Sequence, residues 1–369
     1  MLLIEADGKA LFAAAGIAVP AGLLVASADP PPLPDAGPWV VKAQLPAGGR
    51  GKAGLVRRCG SAAEVAAALR GMLGVPHKGH RVGACLIEPE ATGAEHYLAL
   101  MLDPARYGVR LIHLAEGGVE VEQAGAGQGV LCAPDIASID AAIAAHIAAP
   151  AVAAVARALG RMLLARDLML AEINPLFVTE TQAVAGDAKV VVDLNALDRQ
   201  PEVARLIEAR PEAYADAHRK LHAGFDYVEI DPEGQIGLLT TGAGLSMMLI
   251  DELTARGARP LNFCDIRTSM LRGSPERIVA ALGWMAARGS LRVVLVNIFA
   301  GITDLAEFAA LLADALTQSP GLRVPVVARL VGRGAEAARQ VLAERAPGVA
   351  VEDDLEAALA LVTVAVGAP

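Results

Sequence analysis

Aromatic side chains are scarce in this chain. Six Phe, four Tyr and two Trp make up 3% of 369 residues, although 54% of the chain is hydrophobic. The core must therefore be built mainly from Ala, Val and Leu, and the apolar content excludes a disordered composition. Cysteine is rarer still. Cys59, Cys85, Cys132 and Cys264 stand far apart with no C-x-x-C pair, which argues against a disulfide framework or a zinc site and fits a reducing compartment. Positive charge is not in excess either: 32 Lys and Arg face 41 Asp and Glu, a net charge of −9. A dedicated nucleic-acid binder usually shows a basic face, so none is expected. Long membrane-like runs are also missing. The uncharged stretch 11–28 ends in Ala26-Ser27-Ala28 like a secretory leader, but Gly16, Pro20 and Gly22 interrupt it, and Glu5 and Asp7 offset Lys9. The apolar run at 357–369 is too short for the ~30 Å of hydrocarbon in a bilayer. A soluble, cytoplasmic protein without membrane or nucleic-acid partners is the expectation.

What is present is a chain long enough for two domains or a composite three-part body. Its first part reads as a helix over 3–15, a Pro-rich stretch at 29–34, a strand at 39–44, a glycine-rich turn and a second strand near Leu55. Ser61-Ala-Ala-Glu64 is a capping box that predicts a helix to about Leu73. Strands follow at 84–88, 95–102 and 109–114, then an Ala-rich helical region over 139–165 that Pro150 divides, then strands at 168–173 and 188–193. From Tyr227 the rhythm changes. Strands at 236–240, 261–264, 293–298, 324–330 and 349–351 alternate with helices starting near Gly244, Pro275, Asp304, Gly334 and Asp354. That alternation predicts a parallel sheet with right-handed crossovers, whose ligands bind at the carboxyl ends of strands. The expected domains are 1–226 and 227–369, both α/β.

Three motifs carry chemistry. Gly49-x-Gly51-x-x-Gly54 matches a dinucleotide fingerprint by pattern, but a strand follows where that fingerprint needs a helix. Ala53 also stands where a Walker loop requires Ser or Thr. A glycine-rich hairpin flanked by Lys42, Arg50 and Lys52 suits a lid whose N–H groups fold over phosphates, the plainer alternative being a solvated turn. The second motif is Glu172-Ile-Asn174-Pro175, followed by Asp187. Residues two apart on a strand share a face, and an Asn oxygen with an Asp carboxylate suits magnesium; a polar hairpin is the bland alternative. Pro175, lacking a donor, marks a strand end. Third, the turns at 240–245 and 297–304 each lead from a strand into a helix and would present free N–H groups to an anion, or simply pack the sheet.

Together these segments resemble the β subunit of succinate–CoA ligase and its relatives, including malate–CoA ligases. The most specific stretches are Trp39-Val-Val-Lys-Ala-Gln44, Ala47-Gly-Gly-Arg-Gly-Lys-Ala-Gly54, Glu116-Gly-Gly-Val-Glu120, Glu172-Ile-Asn-Pro-Leu176, Asn195-Ala-Leu197 and Val293-Val-Leu-Val-Asn-Ile-Phe299. The resemblance implies an ATP-grasp domain followed by a flavodoxin-like domain. It implies that Lys42, Gly49, Arg50 and Gly51 meet the ATP phosphates, and that Glu88 and Glu95, with the chain at Ala91, hold the adenosine end. Asn174 and Asp187 would bind Mg2+, and Glu172 would steady a phosphorylated histidine. That histidine and the CoA site belong, by the same resemblance, to a separate α subunit in an αβ or α2β2 assembly. Gly301, Ile302 and Thr303 match the loop facing the carboxylic acid substrate. The departures concern that acid. Thr241 replaces a usual Asn, and Asp265-Ile-Arg-Thr-Ser-Met270 replaces a run of glycines, with Arg267 as a candidate clamp for an extra anionic group. Plain succinate is therefore not expected. A stand-alone ATP-grasp carboxylate–amine ligase and a catalytically weakened scaffold subunit are the competing readings.

Overall fold

The computed structural model describes residues 1–29, 32–33, 37–115 and 129–367. The motif at 116–120 lies outside them, as does Pro34. The chain divides into two compact units, Met1–Tyr214 and Ala215–Pro369.

The first unit contains two main sheets. One is antiparallel, in the order Leu23–Val25, Ala84–Pro89, Trp39–Gln44, Val56–Cys59. Helix Ala62–Met72 covers it through Val65, Leu69 and Met72, which pack on Val41, Cys85 and Ile87. The helix starts where the capping box predicts: Ser61 Oγ accepts from Glu64 N–H, and Glu64 Oε2 accepts from Gly60 N–H. The second sheet runs Ala183–Ala185, Leu168–Val178, Ala94–Asp103, Gly108–Leu114, Val130–Cys132, and Lys189–Val192 also pairs with Leu168–Val178. Two helices, Ile136–His146 and Pro150–Ala165, fill the Ala-rich region, and Pro150 opens the second of them.

One expectation fails here. Strand Leu168–Val178 does not end at Pro175 but runs through it, with a register shift between Ile173 and Leu176 against Ala94–Asp103. The irregularity falls where the proline lacks a donor, so pairing resumes beyond it.

Helix Glu5–Ala14 is tied down at its start by Leu3 N–H to Val190 O and by Met1 to Val192 O. A side chain at Gly8 would meet Ala188 Cβ at 3.1 Å, so the glycine lets this helix approach the chain at 188–190 closely. The uncharged stretch after Lys9 is part of this unit: Leu11 and Phe12 are buried and Leu23–Val25 is a strand.

The second unit is a six-stranded sheet ordered Asp226–Glu229, Asn262–Asp265, Ile236–Thr240, Val293–Ala300, Val326–Gly332, Val349–Glu352. The first strand is an antiparallel edge and the rest are parallel, as the alternating pattern predicts. Strand Ile236–Thr240 is buried at every position, the mark of a strand covered on both faces. Glu276–Ala286, Leu305–Thr317 and Ala335–Arg345 supply one layer, Ala243–Ala255 and Leu355–Val366 the other. Asp304 and Asp354 cap their helices through Ala306 N–H and Ala357 N–H, both at 2.9 Å. No helix among the described residues is long and apolar enough to cross a membrane.

Candidate active site

In the first unit a cavity of about 580 Å³ opens among helix Glu5–Ala14, the glycine turn and the ends of both sheets. Lys42, Gly49, Arg50, Gly51, Glu88, Ala91, Glu95, Glu172, Asn174 and Asp187 all line it. The structure thus gathers around one space every residue that the sequence nominates in this half of the chain. Gly49 (φ +81°) and Gly54 (φ +69°) sit in the left-handed region that the turn needs, and Leu55 N–H bonds back to Arg50 O.

The chemistry at the centre is a block of alternating charge. Lys42 Nζ lies 2.7 Å from Glu5 Oε1 and 2.9 Å from Glu88 Oε2, and donates to Gly186 O. Lys9 Nζ repeats the pattern, 2.6 Å from Glu88 Oε1, 2.9 Å from Glu5 Oε1, and donating to the same Gly186 O. Arg50 spans Glu5 Oε2 at 2.7 Å and Asp187 Oδ1 at 3.0 Å. Three cations thus face three carboxylates. Burial pushes the Glu5 carboxyl up, but Lys42, Lys9 and Arg50 outweigh it and hold it well below the usual carboxylate range. Lys42 and Arg50 are each raised, because their acidic neighbours outweigh the cost of burial. Both stay charged at any working pH.

Glu5, Lys9 and the Gly186 carbonyl are the partners that sequence reasoning misses. A detectable sign of the first two is an i,i+4 acid–base pair in the first half of a helix whose second half is apolar, where Glu5 is 2% and Lys9 4% exposed. Asp7 is equally buried but serves the fold, accepting from Arg210 Nε and from Tyr214 OH at 2.7 Å. Glu88, expected at the adenosine end, is engaged by Lys9 and Lys42. Glu172 Oε2 accepts from Tyr97 OH and Lys189 Nζ, both at 3.1 Å, which fixes its carboxylate at the cavity wall.

Asn174 and Asp187 offer hard oxygen donors to the same space, the donor class magnesium takes. Asp187 keeps 32% of its side-chain surface open, yet desolvation and the nearby Glu5 raise its pKa despite Arg50 and both lysines. An amide oxygen and a partly open carboxylate on one cavity wall are a donor set that fits a magnesium ion.

In the second unit, Thr241, Gly301, Ile302 and Thr303 follow the carboxyl ends of adjacent parallel strands, where Thr240 pairs with Asn297. The chain leaves Ile236–Thr240 towards Asn262–Asp265 on one side and later returns to pair Val293–Ala300 on the other, which makes this end the crevice of the sheet. Gly242 N–H donates to Asp265 Oδ1 at 2.9 Å, and the Thr303 and Thr268 hydroxyls bond each other at 2.9 Å. Ile302 is 92% exposed. Arg267, the candidate clamp, is already engaged: its Nη2 lies 2.6 Å from Asp226 Oδ2.

Known proteins match both halves. Residues 2–129 fit the family description "ATP-grasp domain" and residues 239–363 fit "CoA-ligase". The succinate–CoA ligase [ADP-forming] β subunit of Chloroflexus aurantiacus is 37% identical over 325 residues, covering 84% of this chain and 83% of that protein. The protein of the same name from Acidithiobacillus ferrooxidans is 34% identical over 402 residues and covers both chains fully. Among solved structures, ATP citrate lyase from Methanothrix soehngenii, in complex with citrate and coenzyme A, superposes with a TM-score of 0.72 over 99% of each chain at 19% identity. That likeness shows the shared fold. On the identities over nearly the full length, the chain belongs to the family of ADP-forming succinate–CoA ligase β subunits.

Proposed function

We propose that this chain is the ATP-binding subunit of an ADP-forming acid–CoA ligase and that its phosphoryl group travels through a histidine on a partner subunit. The observation that carries this reading is the convergence of Lys42, Arg50, Glu172, Asn174 and Asp187 on one cavity. Lys42 and Arg50 would bind the polyphosphate, whose oxygens take over acceptor roles now filled by Glu5, Glu88 and Asp187. Asn174 and Asp187 would hold a magnesium ion, which supplies charge neutralisation between phosphates. Glu95 and the backbone at Ala91 would receive the adenosine end.

Among the described residues no histidine lines this cavity, and the reading takes the acceptor to be a histidine of the partner subunit. In the first step the bond between the γ-phosphorus and the ADP oxygen breaks as the partner's imidazole nitrogen bonds to phosphorus, releasing ADP. Glu172, fixed by Tyr97 and Lys189, would orient that imidazole. A substrate carboxylate near residues 301–303 then takes the phosphoryl group as an acyl phosphate. The thiol of CoA displaces phosphate from it, giving the thioester. Thr241 and the rebuilt chain after Asp265 point to an acid other than plain succinate.

Lys42→Ala tests the assignment. With the co-expressed partner, ATP, magnesium, CoA and a panel of mono-, di- and tricarboxylates, turnover should fall by about 10²–10³, the cost of removing one transition-state charge contact. Wild-type turnover in that variant overturns the phosphate assignment. Acyl-CoA formation by the chain without any partner overturns the relay.

A further inference from the structure

A second cluster of cations lies in the second unit, and it lacks matching acids. Arg267, Arg272 and Arg277 come together where the segment after Asp265 runs into helix Glu276–Ala286. Arg267 has Asp226, which it shares with Lys220. Among the described residues neither Arg272 nor Arg277 makes an ion pair. Both instead line a cavity of about 240 Å³ with Met270, Leu271, Ser274 and Glu276.

Three observations describe the setting of these arginines. First, Arg277 Nη1 is shut off from solvent and has no hydrogen-bond partner. A guanidinium nitrogen buried without an acceptor forfeits its hydration and gains nothing in return, so native proteins rarely leave one. Second, the Arg277 guanidinium lies against Gly224: its Nη2 is 3.0 Å from where a Cβ there would stand, so a side chain at 224 would press on its present position. Third, the charges do not balance locally. The group is destabilised by its burial and by the like charges of Arg267 and Arg272, so its pKa is lowered. Glu276 is the one acid lining the cavity, and it is exposed in the first turn of its helix. That helix also points its first-turn N–H groups this way, and Ser274 Oγ accepts only that of Glu276.

From these we infer that the Arg272–Arg277 cavity is a binding site for a small oxyanion, a carboxylate or phosphate group bridging the two guanidinium groups. Planar guanidinium suits such a group because each can offer two parallel N–H donors to its oxygens. A ligand of four or five heavy atoms fits the volume. The site is also connected to the acid-facing turn. Thr268, four residues before Arg272, is hydrogen-bonded to Thr303, so the segment that carries Arg272 touches the turn at 301–303.

Two sources supply this chemistry: a carboxylate of a polycarboxylic acid, or free inorganic phosphate. Titration calorimetry on the full chain with phosphate, succinate and tricarballylate separates them, because the tighter ligand names the source. The wild type should bind at least one of the three saturably, and Arg272→Gln should weaken that binding about tenfold or more, as loss of a charged hydrogen bond does. Arg277→Met keeps the aliphatic stem but removes the orphan nitrogen and one repelling charge. It should abolish anion binding yet leave the melting temperature of the free protein unchanged or raised. Magnesium–ADP binding should be the same in all three proteins. That control separates failure of this site from failure of the nucleotide assignment. No saturable binding of any of the three anions, or binding unaltered by both substitutions, overturns the inference. So does a steep fall in the melting temperature of Arg277→Met, which would mark the arginine as a structural group.

Discussion

Both units cluster three basic side chains, and they treat them in opposite ways. In the first unit Lys9, Lys42 and Arg50 interleave with Glu5, Glu88 and Asp187, so each cation touches at least two acceptors. In the second, among the described residues, Arg267, Arg272 and Arg277 have Asp226 alone as a paired acid, and one buried guanidinium nitrogen has no acceptor. The difference shows two ways of housing clustered positive charge. Where cations are buried at the heart of a unit, carboxylates must accompany them, because an unpaired buried charge is too costly. At the start of helix Glu276–Ala286, where Arg272 is exposed and Arg277 half-buried, water can reach most of the guanidinium nitrogens and fewer carboxylates are needed.

The contrast can be broken most sharply at Glu5. Its side chain is wholly buried and serves Lys9, Lys42 and Arg50. Glu5→Ala should cost about 3–5 kcal/mol of stability, the range for removing one partner of a buried pair. Denaturant unfolding of the first unit measures it. A loss under about 1 kcal/mol, the surface-pair range, would mean that the cluster is no tighter than an exposed one.

Next in size is the double variant Asn174→Ala, Asp187→Ala. Calorimetry should show magnesium–ADP affinity reduced tenfold or more, about 1.4 kcal/mol. Unchanged affinity would remove the metal from this side of the comparison.

A like pair inside the first unit offers a finer test. His96 Nδ1 and His113 Nε2 lie 3.1 Å apart, and burial together with His96 lowers the pKa of His113. The folded state therefore binds this proton less readily than the unfolded state. Stability should fall as pH drops through the ordinary histidine range, by at most about 1.4 kcal/mol per pH unit for one proton, and level off below the folded pKa. His113→Gln should flatten the slope between pH 7 and 5, measured by urea midpoints. An unaltered slope would show that the pair does not couple to folding.

The smallest effect is expected at Arg267. Its side chain is 43% exposed and bridges only Asp226. Arg267→Ala should change stability by about 0.2–1 kcal/mol and lower turnover with all acids alike. Selective loss for one doubly anionic acid would instead restore Arg267 as a clamp and shift the contrast by one residue.

The same two clusters show what a sequence can convey. The alternation of strands and helices after Tyr227 and the caps at Asp304 and Asp354 are local, so the second unit's parallel sheet is readable from periodicity. The glycine turn, Glu172 with Asn174, and Asp187 are short motifs, and they converge on one cavity. Lys9 is different. Its acceptors Glu88 and Gly186 lie 79 and 177 positions away, and the one local sign, the i,i+4 spacing from Glu5, points to neither of them. Arg267 fails for the same reason in reverse, since its extended loop hides an acid 41 positions back. Pro175 misleads because a register shift lets the strand continue past it.

The carbonyl of Gly186 accepts from both Lys9 and Lys42. Being a backbone atom, it is present whatever side chain occupies the position, and it has no proton to gain or lose between acid and alkaline conditions. Sequence drift can alter it only by rerouting the chain. Any side chain at 186 would do so, because a Cβ there would stand 2.4 Å from the ring of Phe177 and 2.9 Å from Pro175 O. Two buried ammonium groups thus share a reference point fixed by chain path alone. Related chains could exchange the surrounding acids while still delivering both lysines to one place.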